Sequence, residues 1–152
     1  FDLIVTRLFG LIAPLQPPLY VLPGLIRRAK KKSFANIQGL YSVRDYLDSR
    51  DVSNILLALV PLNISAIINI CSGHGTSIKN ILIKIVNTLY PNDAGKLISL
   101  FSSASDRPDE IPYMVGDNKL LTETIEEVAC TISLEQTIND ALKESMDDLT
   151  GL

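Results

Sequence analysis

"SAIINICSGHGTSIKNILIKIVNTL", residues 65–89, is the stretch from which the fold of this chain can be read. Its opening, "SAIINI", is a short apolar, β-branched run of the kind buried in parallel sheets. "CSGHGTS" then places Gly73 and Gly75 in a turn. After it Ile78, Ile81, Leu82, Ile85, Val86 and Leu89 recur at helical spacing, with Thr76 or Ser77 as the N-cap. Strand, turn and helix in that order predict a β–α crossover unit and an α/β fold. The turn also holds the only histidine, a cysteine and two hydroxyls, which invites an active-site reading. Glycines ahead of a helix N-terminus expose amides that can hold an anion. Neither GxxxxGK[ST] nor GxGxxG is present, however, so the favoured reading is a structural turn, with a ligand loop as the alternative. His74 has no carboxylate or nucleophile at a diagnostic spacing, and Cys71 reads as a small core hydrophobe.

Upstream, "FDLIVTRLFGLIAP" is uniformly apolar and predicts a strand buried on both faces. A chain opening at once on such a run reads as a portion of something longer. After the break "PLQPP", the residues Leu22, Leu25, Ile26 and Ala29 predict a helix with Pro23 in its first turn. Arg27, Arg28, Lys30, Lys31 and Lys32 at its end complement the helix dipole, with contact to an anionic ligand as the alternative. "SFANIQGLYSVRDYL" predicts short strands or a hairpin. Asp48 then caps a helix whose stripe is Val52, Ile55, Leu56, Leu59 and Val60, ending at Pro61. Downstream, "LISLFSS" predicts a short strand and residues 104–117 a loop, with a helix starting near Asn118. A last helix begins at Ser133, with Gln136 completing a capping box and Leu134, Ile138, Ala141, Leu142 and Met146 on its inner face.

At 152 residues the chain is read as one unit, 1–152, long enough to bury about two thirds of its unfolded surface. A composition of 47% hydrophobic and 20% charged residues with net charge −3 excludes a disordered or nucleic-acid-binding chain. Two cysteines without a CxxC and a single histidine suggest neither a metal site nor a disulfide framework; reduced, cytoplasmic thiols are expected. The longest apolar region is interrupted by Pro61, Asn63 and Ser65 before it reaches the roughly 20 residues needed to cross a bilayer, so no membrane span is expected.

Two arginines stand out, Arg44 in "VRDY" and Arg107 in "DRPDE", each beside a carboxylate in an irregular segment. The planar guanidinium fork suits phosphate oxygens, while a surface arginine beside an aspartate is more often a solvated ion pair.

Several segments in order resemble the C-terminal half of the extended short-chain dehydrogenases that act on nucleotide sugars. "TRLFGLIAP" resembles that family's R-x-F-N-x-x-G-P strand and loop, and "YVLPGLIRRA" the segment that follows it. "VRDYLDSRDVSNIL" is similar to its R-D-[FY]-x-x-x-x-D-V segment, and "INICSGHGTSIKNIL" to its N-[IV]-x-S-G-x-x-x-[ST]-[IV] crossover. "DRPDEIPYMVGDNKLL" and "ISLEQTINDAL" resemble its closing region and final helix. Within the family the likeness is greatest to the GDP-6-deoxy-D-mannose reductases, which reduce a 4-keto sugar on GDP with NAD(P)H. The resemblance implies the last part of a Rossmann-type parallel sheet plus a small α/β substrate lobe. It implies that Arg44 and Arg107 clamp the substrate diphosphate, that Glu110 accepts hydrogen bonds from the ribose hydroxyls, and that Leu22 lies against the base. The implied partner is a nucleotide sugar, the cofactor NADP or NAD held mainly by the other half of the parent enzyme, and the full-length parent a homodimer.

The chain departs from the pattern at Gly10, where the family carries Asn, and at Ala13 in place of the glycine of G-P. Before the final helix "EEVACT" replaces the usual Gly-Trp-x-Pro. The Gly-rich dinucleotide turn and the Tyr-x-x-x-Lys pair are missing: Tyr20, Tyr41, Tyr46, Tyr90 and Tyr113 are followed at that spacing by Gly24, Asp45, Arg50, Ala94 and Asp117. No catalytic residue is therefore expected in this chain. The expectation is the substrate-binding portion of a nucleotide-sugar reductase, with an epimerase or 4,6-dehydratase of the same family, or a non-catalytic truncated paralogue, as alternatives.

Overall fold

The computed structural model describes residues 2–13, 16–104, 110–125 and 130–147, with side chains up to residue 144 in the last stretch. Strand β1 (Ile4–Leu8) pairs in parallel with β4 (Ala66–Ile70), Thr6 opposite Ile68. At Phe9, whose amide still donates to the Ile70 carbonyl, the chain leaves this sheet and enters a second as β2 (Gly10–Ile12). There β2 runs parallel to β3 (Val43–Asp48), Gly10 opposite Tyr46. The other part of β3 takes two short strands, antiparallel β5 (Gly75–Ser77) and parallel β6 (Tyr113–Met114).

Helix α1 (Val21–Lys30) buries Leu22, Leu25, Ile26 and Ala29, the face that its spacing predicts. Its inner face meets α3 (Ile78–Leu89), and α4 (Ala94–Ile98) and α6 (Leu134–Asp147) complete a core around Phe34, Ile37 and Leu40. Fully burying side chains of this size stabilises by roughly 1.5–3 kcal/mol each. A second, smaller core lies under α2 (Ser49–Leu59) and α5 (Lys119–Thr124), formed by Val52, Ile55, Leu59, Ile68, Ile70 and Leu121.

The predicted caps are present. The Asp48 side chain accepts from the Arg50 amide, Ser77 from Asn80 and Ser133 from Gln136, each at a helix start. Asn118 occupies the N-cap position of α5.

Several expectations fail for identifiable reasons. β1 is not buried on both faces: Val5 is 44% and Leu8 47% exposed, because among the described residues the second core packs on the Ile68 face of the β1–β4 pair. β4 is buried on one face only, with Ile68 inside and Ile67 outside. Residues 33–47 do contain a short strand, β3, but no hairpin, since β3 pairs with strands distant in sequence. "LISLFSS" is not a strand. Ala94 and Leu97, three apart, turn a helical face onto the larger core, and beyond it only Ser103 bridges to Ile37. Leu56 and Val60, expected inside α2, are exposed. Met146 lies on α6 beyond the described side chains.

Candidate functional site

β3 carries the site because strand side chains alternate. Asp45 points inward and is 1% exposed, while Arg44 and Tyr46 point to the other face and line a cavity. A buried carboxylate is costly unless its oxygens are satisfied. Asp45 accepts from the Ser72 amide (2.8 Å) and hydroxyl (2.6 Å), the Gly73 amide (2.9 Å) and the Gly116 amide (3.2 Å). It thereby fastens two loops distant in sequence to β3.

That arrangement settles the role of "SGHGTS". The amides of Ser72 and Gly73 are committed to Asp45, and that of His74 to the Ser72 hydroxyl. At the start of α3 the amides of Ile78, Lys79 and Asn80 donate to the Ser42 carbonyl, the Leu40 carbonyl and the Ser77 hydroxyl. The donors that a pyrophosphate would need are occupied, so this turn does not fit a dinucleotide. Gly73, at φ +77°, makes the left-handed turn. Gly75 instead sits in β5, where a Cβ would approach Val43 Cγ1 to 2.6 Å. Cys71 is fully buried, and burial, followed by the charge of Asp45, pushes its thiol up to about 11.

On the other face of β3, Arg44 donates through Nη2 to Glu110 Oε1 at 2.9 Å and through Nη1 to the Val43 carbonyl at 2.9 Å. The Ser42 hydroxyl donates to the same Glu110 oxygen, also at 2.9 Å. The pair is mostly enclosed, with side chains 20% and 26% exposed. It lines a cavity of ≈ 230 Å³ together with Val21, Gln38, Tyr46 and Ile78. Two further cavities adjoin it. One of ≈ 430 Å³, between Gly10, Gln16, Tyr20 and Tyr46, shares Val21 and Tyr46 with the central one. The other, of ≈ 300 Å³, reaches Leu19 and Arg27 and shares Val21, Gln38 and Ile78. All three meet at Val21 and form one groove, with the charged pair lining the first of them.

Of the residues expected at a site, Arg44 and Glu110, far apart in sequence, come together. Arg107 lies outside the described residues. Leu22 is 1% exposed and faces the core; its neighbour Val21 is the residue that all three cavities share. Tyr46, Gln38 and Ser42 were not singled out from sequence, although Tyr46 shares the strand parity of Arg44. Burial pushes the Tyr46 hydroxyl above its ordinary value, against the opposing influence of Arg44. Gly10 has a local reason. A Cβ there would lie 2.5 Å from the Asp45 carbonyl and 2.8 Å from the Tyr46 ring.

A second polar network holds α6. Asp48 is 2% exposed and accepts from Arg50 Nε and Nη2 (2.8 Å each) and from the Thr137 hydroxyl (2.6 Å), while Arg50 also bonds Asp140. Burial pushes the Asp48 carboxyl up, but the Arg50 and Thr137 hydrogen bonds outweigh it and hold its pKa below 3.8. Asp51 accepts from the Thr131 hydroxyl and the Ile132 amide. Among the described residues no cluster of acidic, His or Cys side chains could hold a metal ion, and no helix is long and apolar enough to cross a membrane.

The architecture is α/β, that of the C-terminal part of a Rossmann-type parallel sheet with a small additional lobe. Among the solved structures that it matches are an epimerase, a dehydratase and others, some of them bound to NAD or NADPH. RMD from Pseudomonas aeruginosa, complexed with NADPH, is 21% identical, with 95% of this chain and 48% of that one covered at TM-score 0.73. The dTDP-glucose 4,6-dehydratase of Bacillus anthracis, in complex with NAD, is 15% identical, with 97% and 46% covered at TM-score 0.80. The UDP-glucose 4-epimerase of Thermotoga maritima, with UDP-glucose, is 17% identical, with 96% and 46% covered at TM-score 0.76. The chain thus spans about half the length of the solved structures that it matches. No protein-family model and no curated protein matches the sequence.

Proposed function

We propose that this chain is the substrate-binding portion of an NAD(P)-dependent nucleotide-sugar enzyme, and that the whole enzyme is a reductase of the GDP-4-keto-6-deoxymannose kind. The observation that carries the reading is the mostly enclosed Arg44 and Glu110 pair in a groove whose three cavities meet at Val21, in a fold shared with nucleotide-sugar enzymes. A nucleotide sugar carries its charge on the diphosphate between two neutral ends, and the cavity of the charged pair is joined by two further cavities. Arg44, with Arg107 as a second clamp, binds the diphosphate. Glu110 accepts hydrogen bonds from the ribose. The base lies toward Val21 and Gln38, so Val21 takes the role that the resemblance implied for Leu22. The sugar extends toward Gly10 and Tyr46, where the glycine lets the strand pack directly against the aromatic ring that lines the cavity.

A nicotinamide cofactor supplies the hydride when bound, and the turn at residues 72–77 is not its site. The residues that hold it, and the Tyr-x-x-x-Lys pair, belong to a dinucleotide-binding half outside this sequence. An epimerase or 4,6-dehydratase would use the same groove, and the reaction is decided by that other half. Titration of the full-length protein with GDP-sugars and UDP-sugars by calorimetry tests the reading. Binding of GDP-mannose-type ligands in preference to UDP-glucose supports it; preference for UDP-glucose moves it to an epimerase, and no binding of either overturns it.

A further inference from the structure

The Glu110 carboxylate is held asymmetrically. Both of its protein donors, the Ser42 hydroxyl and Arg44 Nη2, converge on Oε1 at 2.9 Å. No donor among the described residues reaches Oε2. Ser42 is itself fixed: it is 7% exposed, and its amide donates to the Gly39 carbonyl across a turn in which Gly39 has φ +58°. The turn is tight around the acid as well, since a Cβ at Gly39 would lie 3.3 Å from Glu110 Oε1 and 3.2 Å from the Ser42 hydroxyl. Arginine alone would favour a two-pronged pair that occupies both carboxylate oxygens. Here Arg44 spends Nη1 on the Val43 carbonyl, and the second donor to Oε1 comes from Ser42 instead.

We infer that Ser42 is a positioning residue that makes the site selective for a nucleotide with an intact ribose diol over its 2′-deoxy counterpart. By supplying the second donor to Oε1, the serine hydroxyl keeps Oε2 as an open acceptor at the cavity. An ionised carboxylate only accepts, and a half-enclosed one left without a donor is penalised. A ligand that presents a vicinal pair of hydroxyls satisfies Oε2 and the remaining capacity of Oε1; one lacking a hydroxyl leaves an acceptor unpaired. Without the Ser42 hydroxyl, Arg44 Nη2 is the one protein donor left to the carboxylate among the described residues, and the carboxylate rotates about that single bond and no longer holds Oε2 at the cavity. The inference rests on the ribose role proposed above for Glu110.

Calorimetric titration of the full-length chain with GDP and 2′-deoxy-GDP, repeated with the UDP pair, tests it. The wild type is expected to favour the ribonucleotide by roughly tenfold or more, the scale of one hydrogen bond to a charged group. Ser42→Ala is expected to bring that ratio to about 1–3, through weaker ribonucleotide binding rather than tighter binding of the deoxy form. Ser42→Thr, which restores the hydroxyl, returns the ratio, and in a Glu110→Gln background Ser42→Ala has no further effect on it. A wild-type ratio near 1, or an unchanged ratio in a Ser42→Ala protein that keeps its thermal midpoint, overturns the inference and leaves the nucleotide-sugar reading standing. Absence of binding by any of the four nucleotides to the wild type overturns both.

Discussion

The two hydrophobic cores of this molecule differ in how completely they are closed. Around α1 and α3, Leu22, Ile81, Leu82, Ile85 and Val86 are each at most 1% exposed, enclosed by helices and the loops at Phe34 and Leu40. On the side of β1, β4 and α2 the inner residues Ile55, Ile68 and Ile70 are equally buried, but Leu3, Val5, Ile67, Leu57 and Val60 stand 44–79% exposed. A cleft of ≈ 380 Å³ lined by Ile4, Leu56, Leu59, Val60 and Leu62 stays open between β1 and α2. Val5 and Ile67 stand opposite each other on the face of the β1–β4 pair turned away from α2, and large exposed apolar patches are where partners dock. The contrast teaches that the groove region closes its own core, whereas the parallel pair is the part of the sheet that the proposed dinucleotide-binding half would complete.

Substitution separates the two regions. The largest loss is expected for Asp45→Ala, which strands four donors and frees both loops from β3: about 3–5 kcal/mol in urea unfolding. Ile85→Ala in the closed core is expected to cost about 2–5 kcal/mol. Leu57→Ala, on the open side, is expected to stay within about 0.5 kcal/mol. A cost for Leu57→Ala equal to that for Ile85→Ala would break the comparison.

The next effect is pH-dependent. Because the folded pKa of Asp48 lies below 3.8, its stabilisation is complete above that value and is lost as pH falls through the folded value. Asp48→Asn should therefore flatten the acid limb of the stability profile, measured by thermal unfolding between about pH 6 and pH 2. An unchanged acid limb would remove Asp48 from the account. A small effect is also expected for Asp140→Ala, whose exposed bond to Arg50 contributes about 0.2–1 kcal/mol.

Much of the closed region could be read from sequence, because its helices are long and periodic. The inner face of α1 and the caps at Asp48, Ser77 and Ser133 follow from local rules. Strands of two or three residues such as β5 and β6 carry no period to detect, and a short apolar run such as Leu97–Phe101, which begins at the end of α4, suits strand and helix alike. β1 differs for another reason: its composition fits a strand covered on both faces, and among the described residues its Val5 face is left open. At the site, Arg44 and Glu110 could be singled out through the family resemblance. The burial of Asp45 could not, since it depends on amides contributed by residues 72, 73 and 116.

The central claim is that Arg44 binds a diphosphate in the groove. Calorimetric titration of the full-length chain with a nucleoside diphosphate sugar and with the free nucleoside, before and after Arg44→Ala, tests it most directly. The account predicts a loss of roughly 10–100-fold for the diphosphate ligand, the scale of charge-assisted hydrogen bonds, and little change for the nucleoside. Equal affinity of wild type and variant for the diphosphate ligand would contradict it.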